Sequence, residues 1–186
     1  MEVENSEEKN PDKSEKVRSL TDAIASLSQL APQHLIERLY SKIIQKLLEA
    51  HQGDTQKSSQ MDEQNSDEET QMVMLLHLAQ ALLASIDPSS ITLLFRCLKP
   101  LIRSDETKPR VQKRAYKVLA EICQHRPDFV RQGDTLNDTL QLLTSSLHTS
   151  QVSSRFMRIK CLTLIVDSVD NPDETEKVGS KLQFEQ

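Results

Sequence analysis

Four cations, Arg110, Lys113, Arg114 and Lys117, recur at spacings of three, one and three. That spacing puts all four on one side of a helix. Guanidinium and ammonium groups gathered in this way suit one kind of chemistry, the recognition of phosphate or carboxylate oxygens. Lys99 and Arg103 lie shortly upstream and extend the candidate surface for RNA or an acidic partner. Aromatics make up only 3% of the chain, with no Trp, so few rings are available to stack bases. That shortage weighs against contact with RNA, and the competing reading of the stripe is the solvated face of a packed helix.

Other constellations are weaker. Ser66 is followed by Asp67, Glu68 and Glu69, the context favoured by acid-directed kinases, and is a candidate phosphosite. His34, His51, His77, His125 and His148 are scattered, and none stands at metal-ligand spacing from a Cys or carboxylate. With only 3 glycines, Gly53, Gly133 and Gly179, there is no phosphate-cradling loop. No Ser-His-Asp set is marked out by its surroundings. A non-enzyme without cofactor, metal or small-molecule substrate is the expectation.

Cys97, Cys123 and Cys161 are odd in number and sit in apolar segments, which fits reduced, buried thiols in an intracellular protein. The longest apolar run, Met72 to Ile86, contains His77 and Gln80 and is shorter than the roughly 20 residues that span a bilayer. The N-terminus has no apolar signal core and no Arg-rich, acid-poor character.

Helices must position these groups. Few glycines, few aromatics and abundant Leu, Ala, Glu, Lys, Gln and Ser favour helix over strand. Residues 1–14 are too polar to bury a face and read as a disordered tail. Residues 15–169 read as helical repeats, interrupted at 51–70 by an acidic insertion expected to be disordered, and 170–186 read as a polar tail. Pro32, Asp87-Pro88 and Pro109 mark helix starts, and Pro100 is expected to kink or end the helix that contains it. Val111, Ala115, Val118, Leu119 and Ile122 occupy the side opposite the four cations, so the basic stripe does not interrupt the core face.

Net charge is -5, yet residues 96–131 hold 10 Lys and Arg against 4 Asp and Glu, a local excess of 10 − 4 = +6. Such an asymmetry argues for a local anionic partner or an internal pairing, and against whole-protein adhesion to nucleic acid. Long helices joined by short turns recur at about 40 to 47 residues, the period of HEAT and armadillo arrays. The fold class expected is therefore all-α, a HEAT/armadillo-like α-solenoid of antiparallel helix pairs.

The last helical segment is apolar nearly all round. Val152, Phe156, Ile159, Leu162 and Val166 are read as its core face, leaving Met157, Cys161, Leu164 and Ile165 as a possible partner face. With only a polar tail following, the chain is expected either to be a piece of a longer solenoid or to use that face for a partner or for self-association.

The pieces LKP at Leu98–Pro100, VQKRAYKVL at Val111–Leu119 and RIKCLTLIV at Arg158–Val166 resemble the HEAT segment of the ribosomal RNA-processing protein 12 family. Members are much longer than this chain. The resemblance extends from about Ala31 to Val169. It implies a non-catalytic nuclear and nucleolar scaffold in ribosomal RNA processing and small-subunit precursor maturation or export, with RNA or assembly factors as partners. A generic HEAT adaptor for acidic protein segments in transport or complex assembly is the competing expectation.

Overall fold

The computed structural model describes residues 11–54, 62–104 and 107–170. Among them run eight α-helices: α1 (Pro11–Ser28), α2 (Gln33–Asp54), α3 (Asp62–Ala81), α4 (Pro88–Arg103), α5 (Pro109–His125), α6 (Pro127–Arg131), α7 (Gly133–Ser145) and α8 (Arg155–Asp170). One-turn 3-10 segments at Leu83–Ser85 and Val152–Ser154 lead into α4 and α8. No strand occurs among the described residues.

Local chemistry accounts for several boundaries. Asp87 caps α4, its Oδ1 accepting from the backbone N–H of Ser89 at 2.8 Å and of Ser90 at 3.0 Å, while Pro88 takes the first helical position. The hydroxyls of Ser89 and Ser90 also donate to this carboxylate. Hydrogen bonds from the Ser89 and Ser90 side chains are the main reason its pKa falls far below the usual carboxylate value. Pro109 and Pro127 likewise take the first helical position of α5 and α6, there without a side-chain cap.

Two expectations about boundaries are corrected. Pro100 does not end α4, which continues to Arg103 and closes with Ser104 N–H donating to Pro100 O at 3.1 Å. The proline forfeits one intrahelical bond, and the buried side chains of Leu101 and Ile102 hold the last turn against the core. The segment expected to be a disordered insertion, 51–70, is helical at 51–54 and 62–70, with 55–61 outside the described residues. Glu68, Glu69, Gln71 and Met72 are good helix formers, so acidity alone does not keep the segment from joining α3. The two tail assignments, 1–14 and 170–186, fall almost entirely outside the described residues, apart from α1 starting at Pro11.

Packing follows a two-layer order. α2, α4 and α7 stack in one layer, α3, α5 and α8 stack in the other, and α1 lies against α3. Sequence neighbours α2/α3 and α4/α5 form close pairs across the layers. The third pair is looser, because α6 lies among α5, α7 and α8, and α7 meets α8 over a smaller area. The molecule is thus an all-α, solenoid-like stack. A continuous apolar core runs from Ile36 in α2 to Ile165 in α8, with Leu76, Ile91, Leu98, Ile102, Val118 and Ile122 fully buried near its centre. Phe95 and Phe129 meet edge to face at 6.2 Å between ring centroids.

α5 sits at the middle of the stack and is enclosed on most sides, which places two polar residues, Gln112 and Tyr116, completely inside. Gln112 donates to Thr149 O at 3.0 Å and to Ile102 O at 3.4 Å, and accepts from Gln151 N–H at 2.8 Å. Tyr116 OH lies 2.8 Å from both Ser146 Oγ and Ser150 Oγ. These bonds fasten the α7–α8 connection to α5. Buried polar groups are tolerated because nearly every one has a partner.

Candidate functional site

The four cations of α5 do not all share one exposed stripe. Arg110 is exposed, whereas Lys113, Arg114 and Lys117 are half-buried, because α3 and α8 flank α5 in the layer and cover its sides. Arg114 is the most confined. Loss of hydration pulls its pKa down to about 10, partly offset by nearby Glu121, so it stays charged at neutral pH. Its Nε is buried and has no hydrogen-bond partner, an uncommon condition for a guanidinium donor.

The sequence treated His77 as an ordinary helix residue, but the stack brings it to this face. His77 of α3 is half-buried, and its pKa falls to about 4, first through desolvation and then through the charges of Arg114 and Lys117. It is neutral at pH 7. The repeat period held the signal, since 117 − 77 = 40 aligns His77 with Lys117 on the adjacent helix of the layer. Together His77, Arg114 and Lys117 make a positively charged patch between α3 and α5.

Lys99 and Arg103 do not join that patch. Lys99 belongs to α4, in the other layer, where its Nζ pairs with Asp138 Oδ2 of α7 at 2.5 Å and lies 4.9 Å from the centre of the Phe95 ring. Hydrogen bonding and charge from Lys99, with a smaller contribution from Arg103, lower the Asp138 pKa. Lys99 thus serves the α4–α7 contact, while Arg103 is exposed. Other basic residues are also structural: Arg126 donates to Ile86 O at 3.2 Å, Arg131 to Ser168 O at 2.7 Å and Arg158 to Leu143 O at 2.8 Å. The local excess of +6 therefore serves in part to join helices. Charge counting along the chain cannot separate these uses.

The face assignment of α8 is largely reversed. Cys161 and Ile165, expected on a partner face with Met157 and Leu164, are buried, and Met157 and Leu164 pack against the core. Cys161 Sγ approaches Tyr116 O at 3.5 Å. Of the residues expected inside, Leu162 does pack against the core, but Phe156 at 73% and Ile159 at 58% exposure are open, as are Val152 and Val166, with Val169 exposed as well. A helix apolar on both sides offers no wheel-based choice, and the neighbours of α5 made it.

Ser66 lies within α3, and its side chain is outside the described residues. Cys97, Cys123 and Cys161 are free and buried, and burial raises the pKa of each, so none has the low-pKa, accessible character of a reactive thiol. Among the described residues, no group of three or more His, Cys, Asp or Glu could hold a metal ion. No helix of the described residues is long and apolar enough to cross a membrane.

Against this geometry, the chain is similar to the human RRP12-like protein, 26% identical over 151 residues. The similarity covers 80% of this chain but 10% of the relative, so the chain spans about a tenth of that protein's length. No protein-family model matches, and no solved structure matches.

Proposed function

We propose that this chain is a non-catalytic helical-repeat scaffold of ribosome biogenesis, acting in the nucleus and nucleolus. It meets ribosomal RNA precursors through the basic face of the α3–α5–α8 layer, with pre-ribosomal assembly factors as further partners. The observation that carries this reading is the similarity to the RRP12-like protein across 80% of the chain, which includes the whole α5 patch. Supporting it, Arg110, Arg114 and Lys117 leave positive charge on α5 at neutral pH, with His77 uncharged beside it.

The test is RNA affinity measured against salt for the wild type and for a variant with Arg110, Lys113, Arg114 and Lys117 changed to Ala. Each phosphate that is no longer neutralised should flatten the slope of log K on log salt by roughly 0.7 for a single strand. An unchanged affinity and slope would sink the RNA contact. Retention of all partners after nuclease treatment of a pull-down would favour the adaptor for acidic protein segments.

A further inference from the structure

We propose that two copies of this chain associate through α8, the two helices antiparallel about a two-fold axis, with Arg155 of each copy beside Asp167 of the other. The proposal does not depend on RNA contact. α8 meets α5, α6 and α7 with the side that carries Met157, Cys161, Leu164 and Ile165. At 100° per residue, Phe156, Ile159, Thr163 and Val166 fall in an arc of about 80° on the opposite side, which the described helices leave open. Thr163 Oγ1 donates to Ile159 O at 3.2 Å, so the polar member of this set is satisfied without water. With Val152 just ahead of the helix, the open apolar side chains present on the order of 500 Å². The flanking Arg155, Asp167 and Val169, all exposed, bring the surface towards the roughly 800 Å² that each partner contributes to a standard interface.

Symmetry identifies the occupant. Arg155 and Asp167, Phe156 and Val166, and Ile159 and Thr163 are each centred on position 161. A two-fold axis at that level sets every member of the face against its counterpart. Cation then lies beside anion at both ends, the Phe156 ring beside Val166, and Ile159 beside the smaller Thr163. Arg155 and Asp167 flank the apolar arc on its two sides, so both pairs sit at the rim, where charges keep their water. A parallel pair would instead put Arg155 beside Arg155 and Asp167 beside Asp167, which is repulsive. A head-to-tail array does not fit either. The far sides of α1 and α2 expose Asp22, Ser26, Arg38, Lys42 and Glu49, with the exposed leucines of these helices at the margins, and such a surface would bury charge against the apolar arc.

Sedimentation equilibrium of the full chain between about 2 and 300 µM should show the mass rising from 21.2 kDa towards twice that value and stopping there. Phe156→Glu should abolish the rise. It removes nothing that the fold of one copy needs, so at dilutions where both proteins are monomeric its stability should stay near that of the wild type. Charge reversal tests the register. Arg155→Asp and Asp167→Arg each place like charges at both ends of the pair, and each should weaken association about tenfold or more. Mixed in equal amounts, the two variants restore both oppositely charged pairs, so the mixture should dimerise with near wild-type affinity although neither variant does so alone. A wild-type chain that stays monomeric throughout would leave the arc to another segment or another protein and overturn the proposal. Growth past the dimer would overturn it in favour of a head-to-tail array. A wild-type dimer that charge reversal leaves intact, or that mixing fails to recover, would rule out the antiparallel α8 pair.

Discussion

Gln112 should be a structural residue of the first rank, although it sits inside a basic motif. Changing it to Ala removes the donor of Thr149 O and the acceptor of Gln151 N–H, bonds of 3.0 and 2.8 Å, and a longer one of 3.4 Å to Ile102 O. Orphaning a buried polar group costs about 1–3 kcal/mol, and two well-formed bonds dominate here. Allowing for water reaching the half-buried connection, Gln112→Ala should destabilise by about 3 kcal/mol. With a urea slope of about 2 kcal/mol/M, the unfolding midpoint followed by circular dichroism should fall by roughly 1.5 M. Tyr116→Phe provides the internal comparison. Ser146 Oγ and Ser150 Oγ keep their own bonds, to Leu143 O at 3.3 Å and Ser146 O at 2.6 Å, so losing the phenol oxygen should cost about 1 kcal/mol, or roughly 0.5 M. Equal shifts for the two variants, or a larger one for Tyr116→Phe, would refute the view that Gln112 fastens the α7–α8 connection to α5.

Stability should also depend on His77. Its folded pKa of about 4 lies below the unfolded value near 6.5, so the folded state binds fewer protons and stability falls as pH drops between them. Discounted for partial exposure, the loss should be about 1–2 kcal/mol, and His77→Gln should remove that part of the pH dependence in urea titrations at about pH 7 and pH 4.5. Asp87→Ala takes away the cap of α4 and should cost about 1 kcal/mol at neutral pH, read as a lowered thermal midpoint. Phe156→Glu and Ile159→Glu, on the open side of α8, should each change stability by no more than about 0.5 kcal/mol, whereas Ile165→Ala on the buried side should cost about 2–5 kcal/mol. A large loss at Phe156 and none at Ile165 would restore the opposite orientation of α8.

Much of this molecule was determined by sequence alone. Asp87-Pro88 and Pro109 mark helix starts because proline and capping chemistry act within one turn. Val111, Ala115, Val118, Leu119 and Ile122 identify the core side of α5, since opposed polar and apolar sides leave one orientation. The sparing use of glycine and aromatics is enough for an all-α class. Only the tertiary structure decided the rest. α8 is apolar on both sides, so its orientation depended on which side α5 could accept. Nothing in the sequence marks Gln112 and Tyr116 as interior, and only the α7–α8 connection supplies partners for them there. Lys99 looked like part of a stripe until α7 brought Asp138 to it from 39 residues away. Arg114 and His77 became a charged patch only because α3 stacks beside α5. Periodicity is a property of one helix and sorts its residues by side. Burial, pairing and pKa belong to contacts between helices, and those are set by which side each neighbour leaves to be covered.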